Sequence, residues 1–114
     1  MGHAEIELTE HQWQVRSQIV EAAASRAFGR LLHFAETSSS GQGRTVACFL
    51  AATFDAQSFQ FDLFELRTVD IAISDDMLIC LDALRWAKAD LYKLVPDGHA
   101  RIIAMCEARG LAPV

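Results

Sequence analysis

The chain has 114 residues, with 15 acidic and 10 basic side chains, and 52% of its residues are hydrophobic. This size suits a single domain with one hydrophobic core, and the apolar content excludes a disordered chain. The three cysteines are too few for a disulfide scaffold and favour reduced thiols. Because no apolar run approaches the ~20 residues of a membrane-spanning helix, we expect a soluble, unexported protein of the cytoplasm.

The acidic side chains are concentrated in the middle of the chain. Residues 55–90 carry eight acids and three bases, whereas the segments on either side are nearly balanced. A negative surface repels phosphate groups, and the sequence has no basic stripe that would bind them. Nucleic acid is therefore not an expected partner, and another protein with a basic surface is favoured instead.

A long first helix is predicted near the start of the chain. Thr9 and Gln12 have the spacing of a capping box, so the helix should begin at Glu10. Apolar residues then recur at helical spacing and draw one stripe along the helix. The stripe consists of Trp13, Val20, Ala24, Ala27, Leu31 and Phe34.

The central part of the chain predicts a linker, a short helix and an extended segment. Small polar residues at 37–43 are typical of a flexible linker, and residues 44–54 are apolar on nearly every side, as in a buried helix. The alternating segment 58–63 has no second strand to pair with. We expect it to lead into a one-turn helix that Asp62 caps, with Glu65 completing a reciprocal cap.

Two further helices are predicted in the C-terminal half. Asp70 is the expected N-cap of a helix that runs from Ile71 to about Tyr92. A last helix is expected over 97–109, with Ile102, Ile103 and Cys106 facing inward and Gly110 ending it. The inward stripe of the longer helix consists of Ile73, Met77, Cys80, Leu84, Ala87 and Leu91.

No group of residues has the pattern of a catalytic or metal site. The four histidines stand singly, without the paired spacing of metal ligands, so neither a metal nor a cofactor is expected. Cys48, Cys80 and Cys106 fall on predicted inward faces, where a thiol stays protonated and unreactive. The sequence therefore favours a protein without enzymatic activity.

A candidate contact site for a partner lies on the third main helix. At 100° per residue, Ile79 and Trp86 fall on the same outer arc as Asp75, Asp82 and Asp90. A tryptophan ringed by polar groups has the composition of an interface anchor with its rim. The alternative is that both apolar side chains pack under a neighbouring segment of the same chain.

Three stretches resemble a known family. Residues 44–50, 61–66 and 69–77 are similar to small uncharacterised proteins carried on proteobacterial plasmids and integrative elements. The resemblance implies an accessory protein in a bacterial cytosol, and by analogy one that binds a host machine.

We therefore predict an all-α fold, a single domain over residues 1–114 that forms a bundle of four main helices and one short one-turn helix. The expected function is non-enzymatic binding of a basic protein, with inhibition of a host defence complex, such as a CRISPR or restriction enzyme, as the sharper alternative. A homodimer through Ile79 and Trp86 is also possible. A rival hypothesis is an enzyme or ligand-binding module with a phenylalanine-lined pocket. The pocket would be lined by Phe49, Phe54, Phe59, Phe61 and Phe64.

Overall fold

A computed structural model describes residues 8–86 and 90–113. The prediction of an all-α bundle with four main helices is confirmed, and the described residues contain no strand. The main helices are α1 (Glu10–Thr37), α2 (Gly41–Phe54), α3 (Ile71–Trp86) and α4 (Gly98–Ala108). Two short 3₁₀ helices, Leu63–Thr68 and Leu91–Leu94, stand before and after α3.

The predicted capping box begins α1 at Glu10. The Thr9 side chain accepts a hydrogen bond from the Gln12 amide at 3.1 Å, and the Gln12 side chain accepts one from the Thr9 amide at 2.9 Å. The later part of the predicted stripe is buried, including Ala27 and Leu31. α1 packs most extensively against α3 and also contacts α2.

The connection between α1 and α2 is shorter than the predicted linker. Thr37 ends α1 and α2 begins at Gly41, so only residues 38–40 lie between the helices. The Ser40 side chain accepts a hydrogen bond from the Gly43 amide at 3.2 Å, which starts α2 three residues before the predicted position. Gly43 is buried, and a Cβ atom there would crowd the main-chain oxygen of Ser38.

The segment after α2 leads into the first 3₁₀ helix as predicted. The Asp62 carboxylate caps this helix by accepting a hydrogen bond from the Phe64 amide at 2.9 Å. The predicted reciprocal cap is wrong, because the Glu65 carboxylate instead accepts hydrogen bonds from the hydroxyls of Thr45 and Thr68. Thr45 belongs to α2, so a contact between elements replaces the local one.

The third main helix is shorter than the sequence predicted. Within the described residues α3 spans Ile71–Trp86, and Asp90 is in an extended conformation. Leu91–Leu94 then form a separate 3₁₀ turn rather than a continuation of the helix to Tyr92. Met77 and Cys80 are buried as expected, but Leu84 is 48% exposed and Ala83 is buried instead. Ala87 of the predicted stripe lies outside the described residues. The separate turn carries Leu91 into the core, where only 1% of its surface is exposed.

The last helix ends as predicted, with Gly110 in a left-handed conformation at φ 66°. The amide of Leu111 donates to the carbonyl of Cys106 and that of Gly110 to Glu107, which is the Schellman arrangement. Ile102 and Cys106 face inward as predicted. The prediction for Ile103 is wrong, because this residue is 39% exposed and Met105 occupies the inward position.

Candidate functional site

The two apolar residues of the predicted contact site are largely occupied by contacts within the chain. Ile79 is half-buried and packs against the hydrophobic core. The Trp86 ring lies against Trp13, with 4.3 Å between ring centroids, and the Arg16 guanidinium lies 4.5 Å from its centre. Trp86 remains half-buried rather than fully enclosed. Both residues therefore make contacts within the chain, and their contact with a partner stays a prediction.

The three acidic residues of that site do not form one continuous face. Asp82 is paired with Arg85 at 2.7 Å, and Asp75 is exposed on the outer side of α3. Asp90 lies beyond the end of α3, 4.0 Å from the amine of Lys93. The predicted arc assumed that α3 continues through residue 90. Because the helix ends earlier, Asp90 is not in register with the other two carboxylates.

An open apolar groove lies between α2, the segment before the first 3₁₀ helix, and α3. Its volume is about 480 Å³, which is within the range of roughly 300–1,000 Å³ that is usual for binding pockets. We call it the α2–α3 groove. Its large apolar side chains are Phe49, Phe59, Phe61, Leu63, Leu81 and Leu84.

The groove includes three of the five phenylalanines that the sequence proposed for a pocket. Phe54 instead packs edge-on against Tyr92, with 5.3 Å between the ring centroids. Phe64 points away into solvent, with the guanidinium of Arg67 lying 4.7 Å from its ring centre. No local feature of the sequence separates the phenylalanines that line the groove from the two that do not.

The leucines of the groove were not predicted as site residues from the sequence. Leu63 is 68% and Leu84 is 48% exposed, although Leu84 belongs to the stripe that was predicted to face the core. Leu81 also lines the groove and is half-buried. A helical period identifies the apolar side of α3, but it does not say how much of that side a neighbour covers.

The polar groups in the groove are few and uncharged. Thr53 and Gln60 contribute to the lining, and the Thr53 hydroxyl already donates to the carbonyl of Leu50 at 2.7 Å. No Asp, Glu, His, Lys, Arg or Cys is among the described residues that line it. The groove therefore offers a mainly apolar surface with two uncharged polar side chains.

The cysteines lie away from this groove. Burial raises the pKa of the Cys80 thiol to about 12, so this group is a neutral thiol at physiological pH. Burial also raises the pKa of Cys106. Cys48 is half-buried rather than buried and lines a separate small cavity of about 210 Å³ beside the C-terminal segment 110–112.

Within residues 8–86 and 90–113, no three His, Cys, Asp or Glu side chains come together in a way that would hold a metal ion. None of the helices in this part of the chain combines the length and the apolar character needed to cross a membrane.

Comparison with known proteins identifies the family. Residues 25–110 match the model of a family described as "Family of unknown function (DUF7673)". The chain belongs to this family. No curated protein and no solved structure is detectably similar to it. The match confirms the resemblance to uncharacterised proteins that the sequence indicated.

The α2–α3 groove lies entirely within the DUF7673 region. Its lining residues fall between Phe49 and Leu84, well inside the matched range. Trp13 and Arg16, which cover the ring of Trp86, precede that range. The groove is therefore built by the DUF7673 domain alone, whereas the tryptophan pair also requires residues outside it.

Proposed function

We propose that this protein is a non-enzymatic binding protein, which holds an apolar surface of another protein in the α2–α3 groove. The observation that carries this proposal is the exposure of large apolar side chains that line the groove. Leu63 is 68% exposed and Leu84 is 48% exposed. Small monomeric proteins seldom leave a contiguous apolar patch of this kind without a use.

The proposed mode of action, binding of another protein, is the one expected from the sequence. The apolar residues proposed to contact the partner are different. The sequence favoured Trp86 and Ile79, but their contacts with Trp13 and with the core leave less apolar surface for a partner. Leu81 and Leu84 are better suited because they already form the open wall of a concave site. Asp75 and Asp82 stay proposed contact residues for a partner, on the outer face of α3 and outside the groove itself.

The same proposal places the protein among the accessory proteins of bacterial plasmids and integrative elements. The resemblance of residues 44–77 to such proteins supports this placement. The concentration of acids in residues 55–90 supports the alternative within this class, an inhibitor that occupies a basic channel of a host defence complex.

Affinity purification with matched variants tests the proposal. Tagged wild type, Leu84→Gln and Ile103→Gln are expressed in the native host, and co-purifying proteins are quantified by mass spectrometry. Leu84 and Ile103 are both helical leucine or isoleucine residues of similar exposure, at 48% and 39%, but only Leu84 lines the groove. A protein partner should be retained by wild type and Ile103→Gln, and be depleted by about tenfold or more with Leu84→Gln.

Equal recovery of every co-purifying protein with all three baits would overturn the proposal. A small hydrophobic molecule that co-purifies with wild type, and is lost in Leu84→Gln, would instead support the ligand-binding hypothesis. Self-association that light scattering detects for wild type, but not for Leu84→Gln, would identify a second copy as the occupant.

A further inference from the structure

Basic side chains border an open cavity between α1, the start of α4 and the turn that precedes α4. Its volume is about 550 Å³, and it shares no lining residue with the α2–α3 groove. We call it the arginine cavity. Besides two small residues of α1, the side chains that line it are Arg26, Arg30, His33, Val95, Pro96 and Arg101.

The basic groups of the arginine cavity come from two helices. Arg26, Arg30 and His33 follow each other at steps of four and three residues, so they lie on one side of α1. Arg101 belongs to α4 and reaches the same space. No Asp or Glu is among the described residues that line the cavity. Three guanidiniums and an imidazole therefore face one space, although the net charge of the whole chain is −5.

Two of the arginines are held in position by carboxylates that lie outside the lining. Arg30 donates from Nε and Nη2 to Asp76, at 2.9 and 2.7 Å, and Arg101 donates from the same atoms to Glu36. The pKa of Arg101 is raised by this hydrogen bond and also by the charge of Asp97. These carboxylates offset positive charge, but they also fix the guanidiniums, which reduces the entropy that a bound ligand must remove.

Both of these arginines keep free donors for a ligand. The Nη1 atoms of Arg30 and Arg101 have no acceptor in the part of the chain that the structure describes. Arg26 is exposed and forms no ion pair with any residue of 8–86 or 90–113. Its guanidinium therefore has no structural contact to lose when it binds a ligand. The exposed imidazole of His33 supplies an N–H donor even when it is neutral.

This set of donors matches a phosphate group better than a carboxylate. A carboxylate lies in one plane, and a single bidentate guanidinium satisfies it. A phosphate has more terminal oxygens, arranged around a tetrahedral centre, and it accepts hydrogen bonds from several directions. The donors of the cavity come from separate helices and therefore approach from different sides. A nucleic acid is a poorer match, because the surplus of acids in residues 55–86 repels a long polyanion.

We propose that the arginine cavity binds a phosphate group, either as the free ion or as the monoester of a small molecule. Arg26, Arg30 and Arg101 donate to the phosphate oxygens, and the organic part of an ester packs against Val95 and Pro96. The inference goes beyond the proposed function and does not depend on it, since the cavity and the α2–α3 groove have no residue in common.

Nuclear magnetic resonance titration of the isotopically labelled full chain tests the inference. The probes are inorganic phosphate and glycerol phosphate, and the comparison anions are succinate and chloride at the same ionic strength. Saturable shifts should be confined mainly to the amides of residues 25–33 and 95–101. Phosphate should bind at least about fivefold tighter than succinate. Tighter binding of glycerol phosphate identifies an ester as the ligand, and equal or tighter binding of inorganic phosphate identifies the free ion.

Charge-matched variants separate binding in the cavity from general attraction of anions. Arg26→Gln and Arg67→Gln each remove one positive charge from an exposed arginine, but only Arg26 lines the cavity. The first should weaken phosphate binding by at least about fivefold, and the second by less than about twofold. Thermal unfolding should be nearly the same for both variants and wild type. Leu84→Gln, in the α2–α3 groove, should bind phosphate like wild type.

Several results would overturn the inference. Equal shifts with phosphate, succinate and chloride would show ionic screening alone, and no saturable shift up to about 20 mM phosphate would exclude a useful affinity. Unchanged phosphate binding by Arg26→Gln would also overturn the inference, as would loss of binding by Leu84→Gln. None of these results bears on partner capture by the groove, which the affinity purification tests separately.

Discussion

Arg109 in the C-terminal segment donates hydrogen bonds from Nε and Nη2 to the main-chain oxygen of Ala35, over 3.0 and 2.8 Å. Ala35 lies in the last turn of α1, which has no basic residue of its own. The guanidinium also donates to the oxygen of Ser38. Arg109 therefore supplies, from the end of α4, the positive charge that stabilises the C-terminal end of α1.

Replacing Arg109 should destabilise the bundle. Arg109→Met removes the donors for two part-buried carbonyl oxygens, and we expect it to lower the free energy of unfolding by about 1–2 kcal/mol. Urea denaturation followed by circular dichroism measures the change. Arg26→Met is the control, because Arg26 is exposed and makes no hydrogen bond with another described side chain. Similar losses in both variants would contradict the capping role.

Trp86 should tolerate phenylalanine far better than alanine. Its ring packs against Trp13 and Arg16, whereas its buried Nε1 has no hydrogen-bond acceptor in the described part of the chain. Trp86→Phe should therefore cost less than about 1 kcal/mol, while Trp86→Ala should cost about 2–3 kcal/mol. Chemical denaturation of both variants checks this. Wild-type stability of Trp86→Ala would instead support Trp86 as a free contact residue for a partner.

The ion pair between Glu36 and Arg101 should make stability depend on acid pH. The Arg101 guanidinium donates to both carboxylate oxygens, at 2.7 and 2.9 Å, and this hydrogen bonding lowers the pKa of Glu36. Since the pKa is lower in the folded state, the stabilisation is present at neutral pH and is lost as pH falls through that lowered pKa.

Glu36→Gln should accordingly lower the free energy of unfolding by about 0.5–1 kcal/mol at neutral pH. The difference from wild type should shrink as the pH falls below about 4.3, the ordinary pKa of glutamate. Thermal unfolding across this pH range measures the effect. Glu107→Gln, at an exposed carboxylate outside any ion pair of the described residues, should follow wild type throughout. A pH-independent difference for Glu36→Gln would contradict the linkage.

Two glycines at the starts of helices should respond oppositely to alanine. A Cβ atom at Gly98 would overlap the main-chain oxygen of Tyr92, whereas one at Gly41 would meet nothing within 4 Å. We expect Gly98→Ala to lower the free energy of unfolding by at least about 2 kcal/mol. Gly41→Ala should be neutral or stabilising by up to about 0.5 kcal/mol, because it restricts the unfolded chain. Comparable unfolding midpoints for the two variants would contradict the expected clash between a Cβ atom at position 98 and the main-chain oxygen of Tyr92.

Some predictions succeeded because their causes lie within a few residues. The side chains of Thr9 and Gln12 satisfy each other's amides, Asp62 caps the next turn, and Gly110 adopts the left-handed conformation that ends a helix. Predictions that depended on distant contacts failed. The Glu65 carboxylate is bonded to Thr45 on another helix, which no local pattern indicates.

The sequence by itself determined the all-α class, the start of α1, the end of α4 and the acidic character of residues 55–86, since helical period, capping and charge are local properties. Only the tertiary structure decided which apolar residues stay open. Leu84 lies on the core side of α3 yet lines a groove, and Ile79 lies on the outer arc yet packs against the core. Coverage of a helix face depends on where its neighbours pass, and those positions follow from the packing of the whole chain.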